Sequence, residues 1–254
     1  MSKKIIITAD DFGFTDNTNK GIIETVEQGA TTEASLMVNC YGSDNAMQYA
    51  KENNWNNVGI HLQLFDTTKD EKPFRGKDYD QILKEWSADK LLRKLKAEIV
   101  KFEDFFGTTP SHINGHKQLH FNPKVIDYIF DYASKNNMYV RKWGDFETST
   151  TIDNDLKFVK NKFKEYNIKT SDYLLGFEYD FNNPENATDN YKGLIDNSTE
   201  DSIIEILFHP GYYEDFEASL TSFLKERETD RKLLCSKKFE DMLREYTLIS
   251  SRKL

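Results

Sequence analysis

The residues whose types and spacing could do chemistry are five histidines, His61, His112, His116, His120 and His209, and one adjacent acidic pair, Asp10 and Asp11. Three of the histidines fall in one short run, Ser111-His-Ile-Asn-Gly-His-Lys-Gln-Leu-His120. On a helix, positions 112, 116 and 120 would share a face. Asn114-Gly115 inside the run, with Pro110 and Pro123 outside it, argues instead for a strand followed by a loop. On a strand, His112, Asn114 and His116 point to one side and Ile113 to the other. Two imidazoles on one face begin a metal site but do not complete it. A catalytic zinc-type site adds a carboxylate or a third nitrogen and keeps one position open for water. The Asp10-Asp11 pair supplies that carboxylate: one residue can hold a metal while its neighbour takes a proton from the attacking water.

Each of these residues also has a plainer role. Paired aspartates favour turns and helix caps. His61, in Val58-Gly-Ile-His-Leu-Gln-Leu64, could be a hydrogen-bonded strand residue, and His209, before Pro210-Gly211, a turn histidine bonded to backbone. Taken together, the plainer roles require four separate strand ends each to carry a His or Asp by coincidence.

The elements that must position these groups alternate. Ile5–Thr8, Ala34–Asn39, Val58–Phe65, Ser111–Gly115, Tyr139–Lys142 and Ser202–Phe208 read as strands, with another near 173–178. Between them lie helical patterns over Asn17–Gln28, from Ser43 through Ala50, over 88–106, from Pro123 through Phe130, and near 155–166. A long helical region closes the chain. In 88–106, Leu91, Leu92, Leu95, Ile99, Phe102 and Phe106 recur at helical spacing, and Gly107 ends the pattern. Residues 67–80 read as a polar excursion loop, and much of 153–200 carries no clear pattern. Strand–helix alternation predicts a parallel sheet. At 254 residues the number of units favours an α/β fold closed into a distorted (β/α) barrel, with 1–254 as one domain. All five histidines lie at or near the C-terminal ends of the strands, the end at which α/β barrels assemble their active sites.

Composition bounds the partners. A formal net charge of −9 disfavours a broad nucleic-acid surface, which needs a basic stripe. Two isolated cysteines, Cys40 and Cys235, form no metal or redox motif and suit a reducing compartment. No apolar run approaches the roughly 18 residues of a membrane span, and the N-terminus has no signal-peptide core, so a cytoplasmic protein is expected. Trp55, Trp86, Trp143 or Tyr212 could stack on a sugar ring, although core or surface packing is the commoner role of such residues.

The motifs also fit a known pattern. In order along the chain stand Ile-Thr-Ala-Asp10-Asp11-Phe-Gly, Gly21-Ile-Ile-Glu, Thr32-Glu-Ala-Ser-Leu-Met-Val-Asn39, Val58-Gly-Ile-His61-Leu, Pro110-Ser-His112-Ile-Asn-Gly-His116-Lys-Gln-Leu-His120 and Phe208-His-Pro-Gly-Tyr212. This arrangement resembles the YdjC-like (chitooligosaccharide) carbohydrate deacetylase family from residue 5 to about 235. The resemblance implies a TIM-barrel-like deacetylase fold and hydrolysis of an N-acetyl group on an amino sugar or oligosaccharide. It implies one divalent metal ion, Mg2+ or Zn2+, held by Asp11, His61 and His116. It assigns Asp10 as general base and His209 as general acid or substrate contact, and it places His112, His120 and Arg141 around the substrate pocket. The chain departs from the family at Asn114, where Asp is common, and at Lys117 and Gln118, where His is more frequent. Partners are expected to be small saccharides, with no nucleic acid and no membrane, and with a homodimer as a possible assembly. Two other functions fit the same ligands or fold: a metal-dependent phosphoesterase and a non-catalytic saccharide-binding protein.

Overall fold

In the computed structural model, strand alternation sorts side chains between two environments, and that sorting builds the fold. The structure describes residues 3–67, 76–143, 156–181 and 183–254. In chain order the elements are β1 (Lys4–Phe12), α1 (Asp16–Glu27), β2 (Glu33–Leu36), α2 (Ser43–Glu52), β3 (Val58–Leu62), α3 (Gly76–Glu85), α4 (Ala88–Phe106), β4 (His112–Gly115), α5 (Ile126–Lys135), β5 (Tyr139–Val140), α6 (Leu156–Glu165), β6 (Tyr173–Leu175), α7 (Ala187–Asn197), β7 (Ile203–Phe208), α8 (Asp215–Leu220), α9 (Lys225–Leu234), α10 (Lys237–Leu243) and β8 (Thr247–Leu248). Every named strand pairing is parallel, in the order β5-β4-β3-β2-β1-β7-β6, with β8 added to β1. The sheet curls so far that the segment before β6 returns to its other end: the Val140 N–H donates to the Lys169 carbonyl at 2.9 Å. The result is the expected α/β architecture, a distorted barrel of parallel strands wrapped in helices.

One side of each strand faces the helices and is aliphatic. Ala34, Leu36, Val58, Ile60, Leu62, Ile113 and Val140 pack with α2, α4 and α5 in the largest core cluster. Ile5, Ile7, Ile204, Ile206 and Phe208 pack with α7, α9 and α10 in the second. The alternate residues point into the barrel. There Ile6, Tyr139 and Ile249 make an apolar floor, above which Thr8, Glu33, Ser35, His112, Asn114 and Glu205 are all fully buried. A polar interior is stable only if its members satisfy one another.

Helix 88–106 is found with the bounds that its periodicity predicts. Ser87 caps it by accepting the Lys90 N–H, and Gly107 ends it in a left-handed conformation, φ 68°. Three expectations fail. Residues 67–80 do not remain irregular, because α3 begins at Gly76 and buries Tyr79 and Leu83, four residues apart; residues 68–75 lie outside the described residues. The closing helical region is three short helices, broken where Ser236 accepts the Phe239 N–H and starts α10 afresh. The 153–200 stretch contains α7, whose Tyr191 and Ile195 are buried among residues otherwise polar. The helix expected near 155–166 is α6, and residue 155 is outside the described residues.

Close approaches in the barrel require particular glycines. A β-carbon on Gly59 would lie 2.4 Å from three atoms of the His112 ring. One on Gly21 of α1 would lie 2.4 Å from the Gly211 α-carbon, so these two glycines let the loop after β7 settle on α1. Gly59→Ala is therefore expected to displace His112 and lower stability by about 1–3 kcal/mol, read as a fall in the urea midpoint; an unchanged midpoint would contradict this packing.

Candidate metal centre

The acidic pair depends on an irregularity in β1. In a regular strand Asp10 and Asp11 would face opposite sides. The register between β1 and β2 shifts between Ala9 and Phe12, and Asp11 adopts φ 66°. Aspartate tolerates this left-handed conformation better than most side chains, and the bulge re-aims its carboxylate. Both carboxylates are consequently buried at the C-terminal end of the barrel.

Asp10 is held by Arg141, which follows β5. Both terminal nitrogens of the guanidinium donate to the carboxylate, Nη2 to Oδ1 at 3.0 Å and Nη1 to Oδ2. The Arg141 Nε donates to Glu205 Oε1 on β7 at 2.7 Å, and the Tyr139 hydroxyl donates to Glu205 Oε2 at 2.5 Å. Burial alone would raise the Asp10 carboxyl, but the charge of Arg141, aided by His61, holds it well below the usual carboxylate range.

An ionised Asp10 can only accept, so it orients the amide of Asn114. Asn114 Nδ2 donates to Asp10 Oδ1 at 3.1 Å and to Ser35 Oγ at 2.7 Å. Its Oδ1 therefore faces His61, which donates from Nδ1 at 2.7 Å. The remaining nitrogen of His61, Nε2, carries a lone pair. It lies 3.3 Å from Asp11 Oδ1, another acceptor, and neither buried atom has a hydrogen-bond partner. His116, just past β4, brings Nδ1 to 3.7 Å from the same oxygen. Two unsatisfied acceptors facing each other repel unless a cation lies between them. Asp11, His61 and His116 offer ligand atoms that all lie within 4.8 Å of one another, and two imidazoles with one carboxylate make a donor set suited to a divalent ion. The residues present fit a metal.

The other carboxylate oxygen of Asp11 is occupied. Arg227 of α9, itself buried, donates from Nη2 to Oδ2 at 2.5 Å, and its guanidinium lies over the rings of Phe14 and Phe223. Burial would raise Asp11 as well, yet Arg227 keeps it well below the usual range. Asp11 thus presents one oxygen to the ligand cluster. His209, at the end of β7, brings Nε2 to 4.0 Å from Asp10 Oδ2. Burial lowers the His209 imidazole to about 4 against the opposing pull of Asp11 and Asp10.

The remaining sequence candidates are placed differently from expectation. His112 and His120 have no accessible surface and so none to offer a sugar, whereas Arg141 is 3% exposed, as His61 is, and is held by Asp10 and Glu205. His112 Nε2 shares a hydrogen bond with Ser35 Oγ at 2.9 Å, and its Nδ1 lies 2.9 Å from Ser111 Oγ and 3.3 Å from Glu33 Oε1. His120 donates from Nε2 to the Arg141 carbonyl at 3.3 Å and stands outside the ligand cluster. His112 connects to the site through Ser35 and Asn114, His120 through the Arg141 carbonyl, and Arg141 through Asp10. Sequence reasoning missed Glu205, Tyr139 and Arg227. For Glu205 the signal was a lone acid inside the apolar run Ile203-Ile-Glu-Ile-Leu-Phe208; Arg227 sits in a strongly charged helix that offers no such contrast.

Comparison with known proteins gives the family and the fold. Residues 4–245 match the family model described as YdjC-like protein. A carbohydrate deacetylase of Brevibacillus brevis is 28% identical over 242 residues, covering 91% of this chain and 90% of that protein. One from Thermoanaerobacter pseudethanolicus is 27% identical, covering 97% and 96%, and a chitooligosaccharide deacetylase of Salmonella paratyphi C is 24% identical, covering 85% and 84%. Among solved structures, an Enterococcus faecalis protein named for cellobiose-phosphate cleavage superposes with a TM-score of 0.78 at 22% identity, over 100% of this chain and 99% of that one. The Xyl-CE4 domain of a xylanase from the Trinervitermes trinervoides hindgut metagenome superposes at 0.52 with 11% identity, over 100% and 89%. These two structures share the fold.

Two measurements test the centre. Asn114→Leu removes the acceptor that sets the His61 tautomer, and zinc affinity by calorimetry should fall about 10–100-fold. Burial raises Glu33 to about 7, above its unfolded value, so its ionisation costs stability as pH rises from about 4.5 to 7. The stability of Glu33→Gln relative to the parent protein should therefore increase across that interval and level off above it, as read from urea unfolding at successive pH values; a pH-independent difference would refute the assignment.

Proposed function

The chain belongs to the YdjC-like family, and on that premise we propose that it is a metal-dependent hydrolase that removes acetyl groups from N-acetylated amino sugars or their oligosaccharides. The observation that carries the proposal is the facing pair of unpartnered acceptors, Asp11 Oδ1 and His61 Nε2, completed by His116 and flanked by Asp10 and His209. A divalent ion at these ligands supplies Lewis acidity, polarising an acyl oxygen and lowering the pKa of water.

Asp10 takes the proton of the attacking water as the bond from water oxygen to acetyl carbon forms. Arg141 keeps Asp10 anionic and immobile, so the residue enters the reaction with its lone pairs already aimed. His209 delivers a proton to the sugar nitrogen as the C–N bond breaks. Its Nε2 lies close enough to Asp10 for the proton taken from water to reach it with little motion. The products are acetate and the free amine. His112, His120 and Arg141 hold these groups in place.

The mixed nitrogen and oxygen donor set favours zinc, since magnesium prefers oxygen ligands. A neutral saccharide suits a chain with a net charge of −9, which also speaks against nucleic acid as a partner. We place the protein in the cytoplasm; no helix among the described residues is long and apolar enough to cross a membrane.

The test is acetate release from N-acetylglucosamine, N,N'-diacetylchitobiose and longer chitooligosaccharides by protein stripped of metal and refilled with zinc, magnesium, manganese or cobalt. Metal-restored acetate release is expected. Asp10→Asn should keep metal binding and lose about 10²–10⁴-fold in turnover; turnover at the parent rate would remove Asp10 as the base. Stoichiometric metal without acetate from any sugar would show the substrate class to be wrong.

A further inference from the structure

A histidine that moves protons is ordinarily oriented by a hydrogen bond to its second nitrogen. His209 has none: its Nδ1 is buried and without a partner. Among the described residues, His209 is hydrogen-bonded through its backbone N–H, which donates to Asp230 Oδ2 at 2.7 Å and fixes the main chain but not the ring. Aromatic rings contact the imidazole instead. Phe177 is stacked on it, with centroids 5.5 Å apart and planes inclined by 17°, and Phe223 meets it edge-on at 5.4 Å and 73°. Phe177 and Phe223 also contact each other edge-on at 5.8 Å, and Phe181 stands against both.

The backbone that carries Phe177 is unusual. Two residues past β6, Phe177 adopts φ 60°, a left-handed conformation rare for a bulky side chain. Gly176 before it lies against β7, where an added β-carbon would come within 2.8 Å of Leu207. The chain therefore has little freedom to approach the site differently, and the left-handed residue is what turns the ring onto His209. Although Phe177 is 38% exposed, its strained conformation persists.

We propose that Phe177 is a positioning residue for His209, holding the imidazole plane by stacking so that Nε2 faces Asp10 and the metal ligands. This inference rests on the deacetylase reading for its kinetic consequences, whereas its geometric content is independent of it. Stacking fixes the plane of the ring without fixing its protonation, which suits a residue that must accept and release a proton within one turnover. A misplacement of a reacting group by about 1 Å can cost on the order of 100-fold in rate.

Three variants at one position test the proposal: Phe177→Gly, whose backbone accepts positive φ without strain, Phe177→Leu and Phe177→Tyr. In the zinc-refilled protein, Phe177→Gly should retain or raise the melting temperature of the parent while kcat falls about 100-fold and KM changes less than about threefold. Phe177→Leu should fall similarly, and Phe177→Tyr, which keeps the ring, should recover most of the turnover. Independently of activity, the His209 ring resonances in the parent should be shifted upfield by the stacked phenyl ring and lose that shift in Phe177→Gly. Unchanged kcat in Phe177→Gly would overturn the proposal. So would a raised KM at constant kcat, the signature of direct sugar stacking, or a His209 signal indifferent to the substitution. Should every sugar fail as substrate, the deacetylase reading fails while the resonance measurement still decides the stacking.

Discussion

The ion pair between Arg141 and Asp10 is the interaction on which the site depends. Arg141 follows β5 at one end of the sheet order, and it reaches across the barrel to Asp10 on β1 and Glu205 on β7. Because it keeps Asp10 ionised, Asp10 can only accept; Asn114 must then present its amide nitrogen to Asp10 and its oxygen to His61; His61 must carry its proton on Nδ1; and Nε2 is left as a lone pair beside Asp11. One buried charge pair thus determines the tautomer of a ligand two residues away in the network. Removing Arg141 would leave the Asp10 carboxylate buried without its cation, at a cost of about 3–5 kcal/mol, whereas removing Asp10 would leave Arg141 still paired with Glu205.

The same network shows what the amide of Asn114 contributes. An aspartate there could accept from His61 but could not donate to Asp10, and it would set two carboxylates 3.1 Å apart. The amide serves as acceptor on one side and donor on the other. The barrel interior continues this logic downward through Ser35, His112, Glu33, Thr8 and Glu205, each polar group facing another above the apolar floor of Ile6, Tyr139 and Ile249. Burial lowers His112 to about 3, so it remains neutral and serves as a hydrogen-bonding spacer.

Two arginines divide the acidic pair between two tasks. Arg141 occupies both oxygens of Asp10, while Arg227 takes one oxygen of Asp11 and leaves the other to the ligand cluster. The two carboxylates could not serve one site in a regular strand, because alternation would send one of them out among the helices. The bulge at Ala9–Phe12 and the left-handed Asp11 resolve this. A comparable left-handed residue, Phe177, lies stacked on the His209 ring. Among the described residues, left-handed Asn54, Asn137, Asn167 and Asp201 lie in turns away from the ligand cluster, whereas at Asp11 and Phe177 the same conformation re-aims a side chain at the site.

The sequence by itself determined the alternation of strands and helices, the bounds of helix 88–106, and the residue types of the ligand cluster, because periodicity and residue chemistry are local properties. It carried the family pattern as well, since order and spacing of motifs lie along the chain. Local reading failed where burial is sparse: α3 and α7 bury only a few residues within polar surroundings, so their periodicity is weak. It also failed to distinguish residues that face the site from residues that support it. His112 and His120 look like pocket residues in the sequence, yet the barrel closes over them. Only the tertiary structure decided which aspartate is tied to which arginine, that Glu205 anchors Arg141, and that Arg227, 216 positions from Asp11, completes its coordination. Those choices depend on which side chains strand register and helix packing bring together across the barrel, and no local pattern encodes contact between residues so distant along the chain.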